Sequence, residues 1–298
     1  MFISASYDNT IKMWDMNNGK QIYSFETQHA QTCSMSISHE SGLLASAGNN
    51  DYINIWDLMT GHKIVQLKVK DRCRIHTIDF SPDGSLIAGA GNTGKIYLWD
   101  MISKKQTKIL EKHDSNINML AFSKDGKMIA TASQDKTVRL WDIHSFEMIH
   151  TLKGHQDDVL TLSFAHHHPF LASGGRDNTV RVWHIYNYSC MAELQNHMGR
   201  VHTVCFAPHD KYLIAAGESG RLQFWDYHKK QVIIYRYFFG HEAWLNLLPD
   251  GRFDGNDRGM TYLNFTEQDT LISKRTTELK SQYHKPNEIQ EVFAKYLI

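Results

Sequence analysis

Apolar residues in this chain arrive in short runs broken by polar turns, and the fullest example spans residues 112–142. There Ile117–Phe122 mixes apolar with polar positions, Asp125-Gly126 supplies a turn, and residues 128–132 form a second apolar run. Gln134-Asp135-Lys136 makes a second turn before residues 137–141, where Val138 and Leu140 alternate with Arg139. Alternation over so short a length marks a half-buried strand, so the stretch predicts three strands in an antiparallel meander. A lone meander cannot bury both faces and needs neighbours.

Tryptophan marks the neighbours. Trp14, Trp56, Trp99, Trp141, Trp183 and Trp225 follow one another at intervals of 42, 43, 42, 42 and 42 residues. A period of about 40–45 residues is that of four-stranded propeller blades. Asp follows five of the six (Asp15, Asp57, Asp100, Asp142, Asp226), while His184 follows Trp183. On these residues the chain resembles the WD-repeat β-propeller family over nearly its whole length. The resemblance implies an all-β fold, expected here as a seven-bladed β-propeller with a degenerate last blade and a short C-terminal helix.

The first repeat starts late: Phe2–Ala5 matches the second strand of the unit, so its innermost strand has no sequence. The third repeat carries a strong turn signal in Ser81-Pro82-Asp83-Gly84. After Trp225, residues 231–238 suit an outer strand. Asp83 and Asp125 precede their tryptophans by 16 residues; Asp250 plus 16 falls one position past Phe265, which is read as the seventh blade's replaced Trp. From Pro286 the period changes: Ile289, Val292, Phe293, Tyr296 and Leu297 form one helical stripe. Residues 1–270 are thus expected as the propeller and 271–298 as an extension, with residues 271–274 a candidate to complete the closing blades. The segment from Pro249 to Pro286 also resembles the end of the propeller in bacterial WD-repeat proteins that carry a caspase-like peptidase domain.

Charge adds little, because 32 Lys and Arg balance 32 Asp and Glu. Nothing in that balance calls for nucleic acid or an anionic membrane. Cys33, Cys73, Cys190 and Cys205 lack metal or disulfide spacing, and three of them stand where buried strand residues are expected. No signal peptide or membrane span is read, and the expected setting is cytoplasmic.

In the WD-repeat family a buried His, a Ser or Thr, an Asp and the Trp form a hydrogen-bonded tetrad. The resemblance assigns it to His113, Thr131, Asp135 and Trp141, and again to His155, Ser173, Asp177 and Trp183. Elsewhere it is partial: Ser4, Asp8 and Trp14; His29, Ser46, Asn50 and Trp56; His197 and Trp225 with Ala215 and Ser219. The third repeat has Asp71, Gly89 and Thr93 at those places. A recurring His–hydroxyl–Asp trio at fixed offsets from Trp reads as structural rather than hydrolytic. His166-His167-His168 replaces the Asp-Gly turn and reads as a surface turn, not a metal site. No cofactor is expected. The implied function is a non-catalytic protein–protein interaction scaffold, with the propeller part of a caspase-like peptidase system as the alternative. Arg72, Arg74, Arg176, Arg200 and Glu218 are the candidate partner-binding residues, suited to an acidic peptide.

Overall fold

The computed structural model describes residues 2–6, 8–27, 31–69, 71, 73–195, 197–239, 243–256, 258, 265–266, 273–274 and 284–297. The chain divides into two compact units, Met1–Phe164 and Ala165–Ile298.

In the first unit, β1 (Phe2–Ala5), β2 (Thr10–Trp14) and β3 (Gln21–Glu26) form a three-stranded antiparallel sheet. Three four-stranded sheets follow. One holds β4 (Thr32–Ser38), β5 (Leu43–Gly48), β6 (Tyr52–Asp57) and β7 (Lys63–Lys68); the next holds β8 (Ile75–Phe80), β9 (Leu86–Gly91), β10 (Lys95–Asp100) and β11 (Lys105–Glu111). The last holds β12 (Ile117–Phe122), β13 (Met128–Ser133), β14 (Thr137–Asp142) and β15 (Met148–Lys153); β16 (Val159–Phe164) closes the unit. In the four-stranded sheets the second strand (β5, β9, β13) is buried almost throughout, whereas β3 and β7 are mostly exposed. Burial thus grades along each meander, from packed middle strands to a wet fourth strand. Facing sheets share one core: Ala88, Ile96 and Leu98 of the third pack with Leu120, Ile129 and Trp141 of the fourth.

The first strands β4, β8 and β12 are also stitched together by side chains. The Ser36 hydroxyl donates to Asp79 Oδ1 at 2.8 Å, and Phe122 N–H donates to Asp79 Oδ2 at 2.9 Å. Ser36 Oγ in turn accepts Phe80 N–H at 3.0 Å, and Thr77 Oγ1 accepts Leu120 N–H at 3.1 Å. Burial pushes the Asp79 carboxyl above its ordinary range, although these donors oppose the shift.

The second unit contains β17 (Phe170–Gly175), β18 (Val180–His184) and β19 (Cys190–Leu194) in antiparallel register. Its other large sheet has six strands: β20 (Val201–Phe206), β21 (Leu213–Gly217), β22 (Arg221–Asp226), β23 (Gln231–Phe239), β24 (Ala243–Leu247) and β25 (Phe253–Gly255). Six Trp-bearing blades are therefore described, where seven were expected. Residues assigned to a seventh blade extend the sixth instead, because the nine-residue β23 runs on to pair with β24. Phe265 lies in a two-residue strand, β26 (Phe265–Thr266), paired with β27 (Ser273–Lys274). The predicted tail helix is α1 (Pro286–Leu297). Its Ile289 is fully buried among Tyr212, Phe224, Ile234 and Leu248, with Val292 packed beside it. Arg252 bridges the helix to the turn by bonding Glu288 and Asp250.

Candidate functional site

The fourth repeat brings its four predicted residues into one relay. Trp141 Nε1–H donates to Thr131 Oγ1 at 2.9 Å, Thr131 Oγ1 lies 2.7 Å from His113 Nε2, and His113 Nδ1 lies 2.7 Å from Asp135 Oδ2. The set is satisfied by a neutral imidazole that accepts from the hydroxyl and donates to the carboxylate. Burial depresses the His113 pKa and keeps that neutral form, against the pull of Asp135. Burial also raises the Asp135 carboxyl, but hydrogen bonds from His113 and Thr137 outweigh it and hold the group well below the carboxylate range. Asp135 further accepts Thr137 N–H at 3.0 Å, so it ties the imidazole to the turn that opens β14.

This connectivity is that of a hydrolytic triad, but its exposure is not. Thr131 is 0% exposed, and its oxygen already receives the indole N–H. A substrate carbonyl cannot reach it. The relay ties the loop that leads into β12 to β13, to the β13–β14 turn and to the Trp of β14.

The fifth repeat also carries all four residues, and the remaining repeats show what happens as members are lost. Ser173 accepts Trp183 N–H at 2.8 Å, and Asp177 Oδ1 accepts Thr179 N–H at 3.1 Å; His155 is buried in the first unit. Ser4 and Ser46 accept the N–H groups of Trp14 and Trp56 at 2.8 and 2.9 Å. In the sixth repeat Ala215 offers no hydroxyl, and Trp225 N–H turns to Gln223 Oε1 at 3.3 Å. His197 Nε2 is left buried with no hydrogen-bond partner among the described residues. Burial, with the Arg221 charge nearby, pushes the His197 pKa down to about 4. The third repeat builds a substitute: the Tyr97 hydroxyl lies 3.1 Å from Thr93 Oγ1 and 3.3 Å from Asp71 Oδ2. Burial pushes that phenol up to about 12. His29 lies outside the described residues.

The Asp after each Trp caps the next turn. Asp57 Oδ1 accepts Thr60 N–H at 2.7 Å, Asp100 Oδ1 accepts Ser103 N–H at 2.6 Å, and Asp142 Oδ1 accepts Ser145 N–H at 2.7 Å. Where the motif breaks, His184 fills the role: its Nδ1 accepts the N–H groups of Tyr186 and Asn187, both at 3.3 Å.

Two features were missed by sequence reading. The Asp79 stitch is one. The other is Asp210, whose buried carboxylate accepts the backbone N–H groups of His166, His167 and His168 at 2.8, 2.7 and 3.1 Å. His166 and His168 also place Nδ1 at 3.0 and 3.1 Å from it. Those donors outweigh burial and hold the Asp210 carboxyl well below its usual range. The histidine turn is thus at the surface but anchored from below. Asp210 stands 15 residues before Trp225, not 16, which hid the correspondence.

Of the candidate partner-binding residues, Arg74, Arg176 and Arg200 are exposed, and Arg72 lies outside the described residues. Arg200 is not loose: its Nε is 3.4 Å from Glu218 Oε1, and its N–H donates to Glu218 Oε2 at 3.2 Å. The cysteines correct the sequence reading, since Cys73 is buried but Cys33, Cys190 and Cys205 are exposed. Alternation explains Cys205, which sits between the buried Val204 and Phe206 on β20 and faces the other way. Among the described residues no group of three or more His, Cys, Asp or Glu side chains is arranged to hold a metal. No described helix is long and apolar enough to cross a membrane.

Comparison with known proteins matches the family described as "WD domain, G-beta repeat" at residues 1–15, 19–57, 60–100, 104–142, 146–184 and 188–226. The U3 small nucleolar RNA-associated protein 15 homolog of Bos taurus is 35% identical over 66 residues, 22% of this chain and 12% of that protein. The small ribosomal subunit protein RACK1y of Oryza sativa subsp. japonica is 28% identical over 81 residues, 27% of this chain and 24% of that protein. The DENN domain and WD repeat-containing protein SCD1 of Arabidopsis thaliana is 30% identical over 66 residues, 22% of this chain and 6% of that protein. The matches therefore span under a quarter of each relative.

Proposed function

The chain belongs to the WD-repeat family, and on that premise we propose that it is a non-catalytic scaffold that holds protein partners. The observation that carries this reading is the use made of the repeats' chemistry-bearing side chains. His113, Thr131 and Asp135 are spent on holding strands, which leaves exposed loop residues to do the binding. Residues 1–270 are taken as the propeller, with β24 and β25 as the remnant of a seventh blade joined to the sixth, and 271–298 as its extension. A cytoplasmic setting and an acidic protein partner complete the proposal. The relatives reported above lend no support to a caspase-like peptidase system, so the scaffold reading stands without it.

Exposed arginines grip carboxylates bidentately, and Arg176 and Arg200 are the pair to test. Affinity purification from the native host, with partners quantified by mass spectrometry, compares the natural chain with Arg176→Glu/Arg200→Glu. Partner recovery should fall about tenfold or more while the melting temperature stays put. A folded double variant that recovers the same partners in the same yield would show that binding lies elsewhere.

A further inference from the structure

A cavity of about 470 Å³ opens in the first unit at the end of the β14–β15 hairpin. Arg139 and Thr151 form part of its wall, and Lys136 and Lys153 stand at its mouth. The register explains the two lysines' proximity: Lys153 pairs directly with Thr137, the residue after Lys136. Both side chains are exposed, and neither has an ion-pair partner among the described residues.

The same two places in the other repeats never hold two cations. In the second repeat they hold Asp51 and Lys68, which pair at 3.7 Å. In the third they hold Gly94 and Glu111, and Glu111 pairs with Lys95, directly opposite it, at 2.9 Å. Only the fourth repeat sets two cations there, one residue off from facing each other across the hairpin, so that their like charges repel unless an anion arrives. Arg139 adds a third positive charge. Its Nη1 bonds the Lys112 carbonyl, its Nη2 lies 3.3 Å from Asp135 and 3.6 Å from Asp114, and its Nε is buried with no hydrogen-bond partner among the described residues. Asp135 divides its carboxylate among His113, Thr137 and Arg139. Asp114 is held more loosely, because its side chain is 90% exposed and touches Arg139 only at that longer distance.

We propose that this cavity binds a phosphate monoester. Two ammonium groups and a guanidinium line the one cavity, from the β13–β14 turn, β15 and β14, which suits a dianion with three terminal oxygens better than a planar carboxylate with two. The volume exceeds what phosphate alone fills and matches small-ligand pockets, leaving room for the group that carries the phosphate, with Met148 as an apolar wall. Asp114 is the competitor that the phosphate displaces from Arg139. Only the source of the phosphate, a phosphorylated partner side chain or a small phosphate ester, rests on the scaffold reading.

Isothermal titration of the full chain in phosphate-free buffer tests this with O-phosphoserine, a phosphoserine peptide and the same peptide carrying glutamate. Phosphoserine, free or in the peptide, should bind, and Lys136→Ala/Lys153→Ala should weaken it about tenfold or more without changing the thermal melt. Asp114→Asn should tighten binding by a few-fold. Arg176→Glu/Arg200→Glu should bind phosphoserine unchanged, which separates this cavity from the arginine surface. A peptide that binds well above free phosphoserine supports a phosphorylated partner; equal binding supports a small phosphate ester. No binding of either probe, glutamate binding as strong as phosphoserine, or affinity indifferent to the two lysines would overturn the proposal.

Discussion

Asp135 concentrates five protein contacts in one carboxylate, from His113, Thr137 (twice), Arg139 and the Asp114 N–H. Asp135→Ala would strand those donors and should cost on the order of 1–3 kcal/mol in a denaturant melt. The matching change Ser219→Ala, in a blade whose Trp has already found Gln223, should cost clearly less. His184 offers the reverse experiment. It accepts two N–H groups at 3.3 Å where Asp57 and Asp142 accept theirs at 2.7 Å. A charged acceptor makes shorter and stronger bonds. His184→Asp should therefore raise stability by about 0.5–1.5 kcal/mol, read as a higher denaturation midpoint with an unchanged slope.

At the scale of the element, each third-to-fourth-strand turn requires one left-handed residue, four positions after the capping Asp or His. Gly19 and Gly61 supply it at φ 67° and 69°, while Lys104, Phe146, Tyr188 and Lys230 adopt φ 56–61° with a side chain. Left-handed backbone costs a residue with Cβ about 1–2 kcal/mol, partly offset by the extra entropy that glycine loses. Lys104→Gly should stabilise by up to about 1 kcal/mol; Phe146→Gly should not, because Phe146 packs against the neighbouring core. A Lys104→Gly protein that melts below the natural chain would contradict this account of the turn. The turns, the strands and the helix start at Pro286 were legible because each repeats a local pattern or changes its period. What stayed hidden depends on partners far apart in sequence. Asp79 meets Phe122 across 43 residues, and nothing local in its strand announces that bond. The sixth sheet was misread for a related reason. Once the tryptophans stop, only the pairing of β23 with β24 decides which sheet those residues join.

For the whole molecule, buried titratable groups set the response to acid. His197 has a folded pKa of about 4 against an ordinary value of 6.5. The unfolded chain therefore takes up its proton first, and stability is lost as pH falls from about 6.5 towards 4, by on the order of 3 kcal/mol from this residue. His113 acts with the same sign, and Asp135 and Asp210 join below the unfolded carboxylate value of 3.8. Asp79 opposes them: its raised carboxyl makes its contribution greatest in acid and lost as pH rises through its folded value. Thermal melts at pH 7 and pH 5 should show the natural chain losing more than His197→Phe; parallel losses would remove His197 from this account. Asp79 has another consequence, mechanical rather than chemical. Bonded to Ser36 on β4 and to Phe122 N–H on β12, it couples three sheets along their first strands. Tension applied at the N-terminal end of the first unit should meet these bonds before any one of those sheets peels away. The load should pass through Asp79 from one strand to the next, and a pulling experiment should show the second, third and fourth sheets yielding together in a single rupture.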